Sequence, residues 1–307
     1  MRSRWPDGGM MKPYKIFLAL LFTLAIIIGI RYTNQNYNQI EKKAYGDGFI
    51  LAHEFNHICY NEDRDVIISV EVEDGSLPAG SSLGFFYKPA RLSGYEGEIG
   101  YTRYEMKQAL AYPDRYEIII PRGEKGDRVL YYLELNDSEG NEIALLTSEQ
   151  GAESTEETRL MFAGQRPRYL FLGHVIVMLA GFVFVSLAFL TALSNLKDKR
   201  NNTILGKQIF LAAIFIFVGL VPLGSLLNNQ MYGTYWKGLP FGIDITGSLG
   251  FIILLYWLIM MILMKGSAFV SNPSKNILPP SGARVLAVIG FLITAAAYLV
   301  PHGTGEF

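Results

Sequence analysis

The sequence predicts an α+β membrane protein with five transmembrane helices and an outward-facing β-sandwich inserted between the first and the second. Half of the 307 residues are hydrophobic and only 18% are charged, against roughly a quarter charged in soluble proteins. The apolar residues fall into five blocks rather than spreading evenly, as membrane spans do. Between the first two blocks, residues 32–167 read as short alternating strands separated by Gly, Asp and Asn turns.

The first block, "KIFLALLFTLAIIIGIR", is apolar from Ile16 to Ile30 and lies between Lys15 and Arg31. It is short for the roughly 20 residues of a span, but both flanking cations can snorkel to the interface. A basic start and an apolar centre also suit a signal peptide. "IIIGIRYTNQN" offers no small-x-small cleavage site, however, so residues 1–31 are read as a cytoplasmic tail and an uncleaved anchor. The other blocks cover about 169–193, 208–227, 248–264 and 284–300 and form a four-helix domain over 168–307.

Loop charges set the orientation. Arg2, Arg4, Lys12 and Lys15 precede the first block, Lys197, Lys199, Arg200 and Lys207 follow the second, and Lys265, Lys275 and Arg284 follow the fourth. The intervening segments are poorly basic. The expectation is a bacterial cytoplasmic (inner) membrane protein with its N-terminus inside, its C-terminus outside and residues 32–167 extracytoplasmic. Arg166 and Arg168 run against the trend, but they follow a long translocated domain, where the rule is weak. The lipid bilayer is thus one partner. A net charge of −1 gives no basis for nucleic-acid binding.

Within 32–167, "DVIISVEVEDG", "SLGFFYKP" and "DRYEIIIP" read as strands, and "RVLYYLELNDSEGNEIALLT" reads as a hairpin turning at "NDSEGN". The lone Cys59 can form no internal disulfide, so this domain must fold on its apolar core. "LAHEFNH" contains His53-Glu54-x-x-His57. On a helix that spacing sets two imidazoles on one face beside a glutamate that can activate a zinc-bound water. Here the motif runs directly into a strand, and no other histidine lies in 32–167. It reads as a lead-in strand with incidental histidines. The alternatives are a small metal site of His53, His57 and Cys59, and, more remotely, a zinc metalloprotease.

The segment "MYGTYWKGLPFGIDITGSLGFIILLYWL" begins in an outer loop over 228–247, which packs aromatics among glycines up to Asp244 and is followed by an apolar helix. Thr246 or Ser248 is expected to cap that helix. An interfacial belt accounts for Tyr235 and Trp236, but not for the glycines, which admit a flat ligand or another backbone. His174 lies inside the second span, where an ionisable group suggests function. His302 follows Pro301 at the end of the fifth. Pro222 is expected to kink the third span. Two neutral imidazoles on one side of the membrane can ligate a heme iron axially.

Two resemblances follow from these residues. "YYLELNDSEGN" is similar to the penultimate-strand signature of bacterial immunoglobulin and fibronectin type III modules. It implies an Ig-like sandwich over about 63–148, of a kind that binds or spaces. "YGTYWKGLPFGIDITGSLGFIILLYWL" resembles the tryptophan-rich outer loop of the heme-handling membrane proteins of cytochrome c biogenesis, although Trp236 is the single tryptophan of the loop itself. That resemblance implies His174 and His302 as axial ligands and Trp236, Tyr235 and Asp244 as heme-presenting residues. With its "PFG-D-T" loop and terminal "VPH", the chain is also similar in texture to other multi-pass bacterial membrane proteins. The leading expectation is therefore the binding or handling of heme, or a related redox ligand, at the outer face. The alternative is a non-enzymatic anchored protein whose sandwich docks an extracytoplasmic protein partner. No nucleophile triad, phosphate loop or dinucleotide motif points to an enzyme.

Overall fold

The computed structural model describes residues 12–37, 39–56, 58–59, 65–90, 100–147, 158–242 and 244–300. The chain divides into two compact units. Among the described residues, a helical unit takes those up to 33, 168–227 and 235–300, and a strand unit takes 34–167 and 228–234. The loop expected over 228–247 is thus split between them.

The strand unit contains β1 (Gln39–Gly46), β2 (Phe49–Asn56), β3 (Ile58–Cys59), β4 (Val66–Gly75), β5 (Ser82–Ala90), β6 (Thr102–Glu105), β7 (Lys107–Ala109), β8 (Tyr112–Ile120), β9 (Arg128–Asn136), β10 (Glu142–Leu146) and β11 (Thr158–Phe162). One sheet has the order β1-β2-β4-β8-β7 and the other β3-β11-β9-β5-β6, with β10 also paired to β9. The period of two drives this. Along β9, Val129, Tyr131, Leu133 and Leu135 are buried while their neighbours are only half-buried. They meet Leu51, Phe55, Ile68, Val70 and Ile120 of the first sheet in one apolar core.

The expected β9–β10 hairpin forms. Asp137 Oδ1 accepts the N–H groups of Glu139 (2.8 Å) and Asn141 (2.9 Å), and Gly140 takes φ +89°. A second hairpin was not expected. β1 and β2 pair from Gly46 opposite Phe49 around the two-residue turn Asp47-Gly48, with Gly48 at φ +79°. That dipeptide between alternating runs is the signal that could have revealed it.

The described helices are α1 (Pro13–Tyr37), α2 (Arg168–Ala192), α3 (Lys199–Val218), α4 (Ser225–Tyr232), α5 (Ile245–Leu263), α6 (Lys265–Phe269) and α7 (Pro280–Leu299), all in the helical unit except the end of α1 from 34 and of α4 from 228. A π-helical turn, Gly219–Gly224, joins α3 to α4. Five helices are long and apolar enough to cross a membrane: Pro13–Thr33, Arg168–Ala192, Lys199–Tyr232, Ile245–Leu263 and Pro280–Leu299. The class is mixed α+β, and all five apolar blocks are helical.

Small residues let these helices close, as they must where lipid offers no hydrophobic drive between helices. At Gly290 a Cβ would stand 2.5 Å from the Tyr256 ring and 3.0 Å from the Trp257 ring. Trp257 is fully buried, and its indole N–H donates to Thr294 Oγ1 at 2.9 Å. The Tyr298 hydroxyl donates to the Met178 carbonyl at 2.9 Å, tying α7 to α2. Phe22 lies 5.5 Å from Phe291, and Gly29 meets Leu299, so α1 and α7 run parallel.

At the basic end, Asn276 Nδ2 donates to Ser267 Oγ (2.8 Å) and to Asn202 Oδ1 (3.2 Å), while Asn276 Oδ1 accepts the Ser267 N–H (2.7 Å). Asn202 and Ser267 are buried there. Gly206 lies against this turn, where a Cβ would collide with Ser267 Cβ and stand 2.8 Å from the Ala268 nitrogen. Gly206→Ala should therefore lower the melting temperature of the detergent-purified protein by several degrees. Gly173→Ala, with nothing within 4 Å of its Cβ, should leave it unchanged or slightly raised, since alanine favours a helix by up to about 1 kcal/mol.

Candidate functional site

His174 lies in the first third of α2 and faces the π-helical turn. Pro222 sets that turn. It has no N–H, and its ring crowds the carbonyl four residues back, so the helix widens locally rather than continuing as α. The expected disturbance at Pro222 thus takes the form of a widened turn. At its start, Gly219 lets α2 approach, since a Cβ there would stand 2.5 Å from Met178 Sδ. That approach brings the Gly219 carbonyl to 2.9 Å from His174 Nδ1.

A carbonyl only accepts, so Nδ1 carries the proton and Nε2 carries the lone pair. Among the described residues the bond to Gly219 is the ring's single hydrogen bond. An imidazole held by a carbonyl through one nitrogen, with the other bare, is the usual arrangement of a metal-ligating histidine. His302 lies outside the described residues.

Hydrogen bonds within the aromatic loop shape it as a turn. The Trp236 indole N–H donates to the Leu239 carbonyl at 2.8 Å, and the Asp244 N–H donates to the Lys237 carbonyl at 3.1 Å. Asp244, not Thr246 or Ser248, caps α5, its Oδ2 accepting the Gly247 N–H at 2.6 Å. A carboxylate at that position also complements the positive end of the helix. Ser248 serves the loop instead, its Oγ accepting the Leu239 N–H at 3.0 Å.

The glycines admit backbone. At Gly247 a Cβ would stand 3.0 Å from the Gly238 nitrogen, and at Gly242 it would collide with the Lys237 carbonyl. Tyr235 and Phe241 are exposed, as an interfacial belt requires. The geometry therefore assigns cap and turn roles to Asp244 and the glycines.

Residues 51–56 of "LAHEFNH" lie on β2, whereas the protease motif acts from a helix. On a strand, positions i and i+4 lie about 13 Å apart, whereas on a helix they are neighbours about 6 Å apart. His53 points inward, 4% exposed, while Glu54 points out. The Ser69 carbonyl accepts from Nδ1 at 2.7 Å, so Nε2 accepts the Tyr131 hydroxyl proton at 3.1 Å. Both nitrogens are thereby used.

Cys59, on β3, lies beside Arg122 rather than in a ligand cluster. His57 is outside the described residues. No group of three His, Cys, Asp or Glu side chains that could hold a metal occurs among the described residues. Tyr131, the partner that keeps His53 in the core, was not anticipated. The alternation of "RVLYYLEL" marks it as inward-facing, but nothing local pairs it with a residue 78 positions away.

No protein-family model matches the chain, and no curated protein matches it.

Burial drives the His53 pKa down to about 4, against a smaller opposing effect of its bond to Ser69. An unfolded imidazole titrates near 6.5. Above that pH both states are neutral and the full stability is present. As pH falls from about 6.5 to 4 the unfolded chain takes up the proton first, so stability declines, by about 3 kcal/mol in all. Denaturant titration of the strand unit within the intact protein should show this slope between pH 7 and 4, and His53→Gln should abolish it.

Proposed function

We propose that this is a bacterial cytoplasmic-membrane protein that binds heme, or a related redox-active metal group, through His174 Nε2, and that carries an immunoglobulin-like domain on the outer face. The observation that carries the ligand reading is the bond from His174 Nδ1 to the Gly219 carbonyl, which sets the tautomer and leaves Nε2 as a donor. A π-helical turn against the same ring supports it, since such turns recur at functional sites. The donor chemistry fits an axial ligand of heme iron. A bound heme would supply one-electron chemistry. Within that reading His174 is the proposed ligand from the chain, His302 is the proposed second, and Tyr235 is an exposed aromatic of the same unit.

Two further observations support the domain reading. One sheet contains β2-β4-β8-β7 and the other β11-β9-β5, the division of strands that immunoglobulin domains have. In chain order the strands lie between α1 and α2. The orientation rests on Lys12, Lys15, Lys197, Lys199, Arg200, Lys265, Lys275 and Arg284 clustering before the first span and at or between the ends of alternate spans.

The alternative, a sandwich that docks an extracytoplasmic protein, is favoured by one feature. Ile67 and Ile119 are register partners on the outward face of the first sheet, 59% and 64% exposed. Such a paired apolar patch suits a contact surface.

An absorption spectrum of the purified protein, with metal analysis, tests the ligand. A Soret band in the wild type should vanish in His174→Asn, whose side-chain amide keeps the bond to Gly219 but has no Nε2. Absence of both heme and metal after supplementation would leave the docking reading. For topology, single cysteines at Ser138 and Lys237, in a Cys59→Ser background, should both react with an impermeant thiol reagent from outside the cell. Labelling of either one from the cytoplasm alone would overturn the orientation.

A further inference from the structure

Lys15 opens α1 and is only 8% exposed. Its ammonium donates to Ser194 Oγ at 2.6 Å. Arg284, in the first turn of α7, donates to the carbonyl of the same residue at 2.9 Å. Two cations from different helices thus converge on Ser194, just beyond the end of α2. Neither meets a carboxylate among the described residues, where the helical unit has only Asp198 and Asp244. Asp198 accepts the Arg200 N–H at 2.9 Å as the cap of α3, and Asp244 caps α5.

Gathering like charges in a partly dry site is costly unless an anion joins them. Part of the arrangement is structural, since one Arg284 nitrogen satisfies the carbonyl after α2. The donors left over are more telling. An ammonium has three protons, and Lys15 uses one acceptor. A guanidinium has five, and Arg284 uses one.

The parallel course of α1 and α7 puts two helix N-termini at this end, each adding partial positive charge. Both begin with proline, and α7 has no side-chain cap. Exposed apolar residues of the same helices, Phe17 and Leu20 on α1 and Val285 on α7, are surface for acyl chains.

We propose that Lys15, Ser194 and Arg284 form a phosphate site that holds the headgroup of an anionic phospholipid at the basic end of the bundle. Lys15 and Arg284 bind the phosphate oxygens, and Ser194 spaces the two cations. This rests on the helices lying in a bilayer, not on the heme reading.

The test uses full-length protein in neutral detergent, titrated with phosphatidylglycerol, phosphatidylcholine or inorganic phosphate, with bound lipid counted by native mass spectrometry. Phosphatidylglycerol should be retained over phosphatidylcholine by on the order of thirtyfold, the preference that two interfacial cations supply. That preference should collapse in Lys15→Gln and in Arg284→Gln, return in Lys15→Arg, and persist in Lys275→Gln, a cation of the same basic set outside the cluster. Arg284 is exposed, so Arg284→Gln carries the test should Lys15→Gln fail to fold. Equal retention of both lipids, an equal loss in Lys275→Gln, or displacement of the lipid by millimolar phosphate would each overturn the lipid site.

Discussion

In the helical unit, the constraint on which the rest depends is that backbone polar groups without water must find partners inside the protein. Pro222 breaks the ladder of the third span and the helix widens. The Gly219 carbonyl then turns to the one side chain of α2 that can donate to it, His174. Gly219 has no side chain to hold α2 away. A proline, a glycine and a histidine spread over two helices thus act as a single device. Its by-product is an imidazole of defined tautomer, so the structural role of His174 and the ligand role proposed for it do not compete: each uses a different nitrogen.

The strand unit handles a buried polar group in the same way. His53 lies in an otherwise apolar core against the Phe55 ring, centroids 4.3 Å apart. It is tolerated because Ser69 and Tyr131 satisfy both ring nitrogens. Remaining neutral is the condition for that, and burial enforces it. The motif that suggests a metalloprotease is in this setting a piece of core packing. His53 lies on a strand rather than a helix and is already hydrogen-bonded through both ring nitrogens.

Charge in the helical unit is arranged by scarcity. Two carboxylates occur among its described residues, and both cap helices; Lys15 and Arg284 are met instead by a hydroxyl and a carbonyl. Asn202, Ser267 and Asn276 do comparable work without charge, closing the turn after α5 through amide and hydroxyl bonds. The glycines at 206 and 266 allow the chain to fold back that tightly.

Much of this was legible locally. Five apolar runs at or near span length became five helices, because the bilayer's thickness acts on length and hydropathy alone. The strands at 66–75, 82–90 and 112–120 and the hairpin at "NDSEGN" followed from period-two alternation and from Asp, Asn and Gly at the turn. The Asp47-Gly48 hairpin was present in the sequence too, but its turn was overlooked beside the histidine motif. What no local pattern contains is pairing across the chain. Examples are the acceptor of His174, 45 residues away; the donor to His53, 78 away; and the convergence of Lys15 and Arg284 on Ser194. The glycines at 238, 242 and 247 make the same point. Sequence says only that something approaches them closely, and the folded loop makes that something its own backbone. Periodicity reports which face of an element is apolar. Which polar atom meets which depends on how the elements pack, so those partners were decided by the tertiary structure.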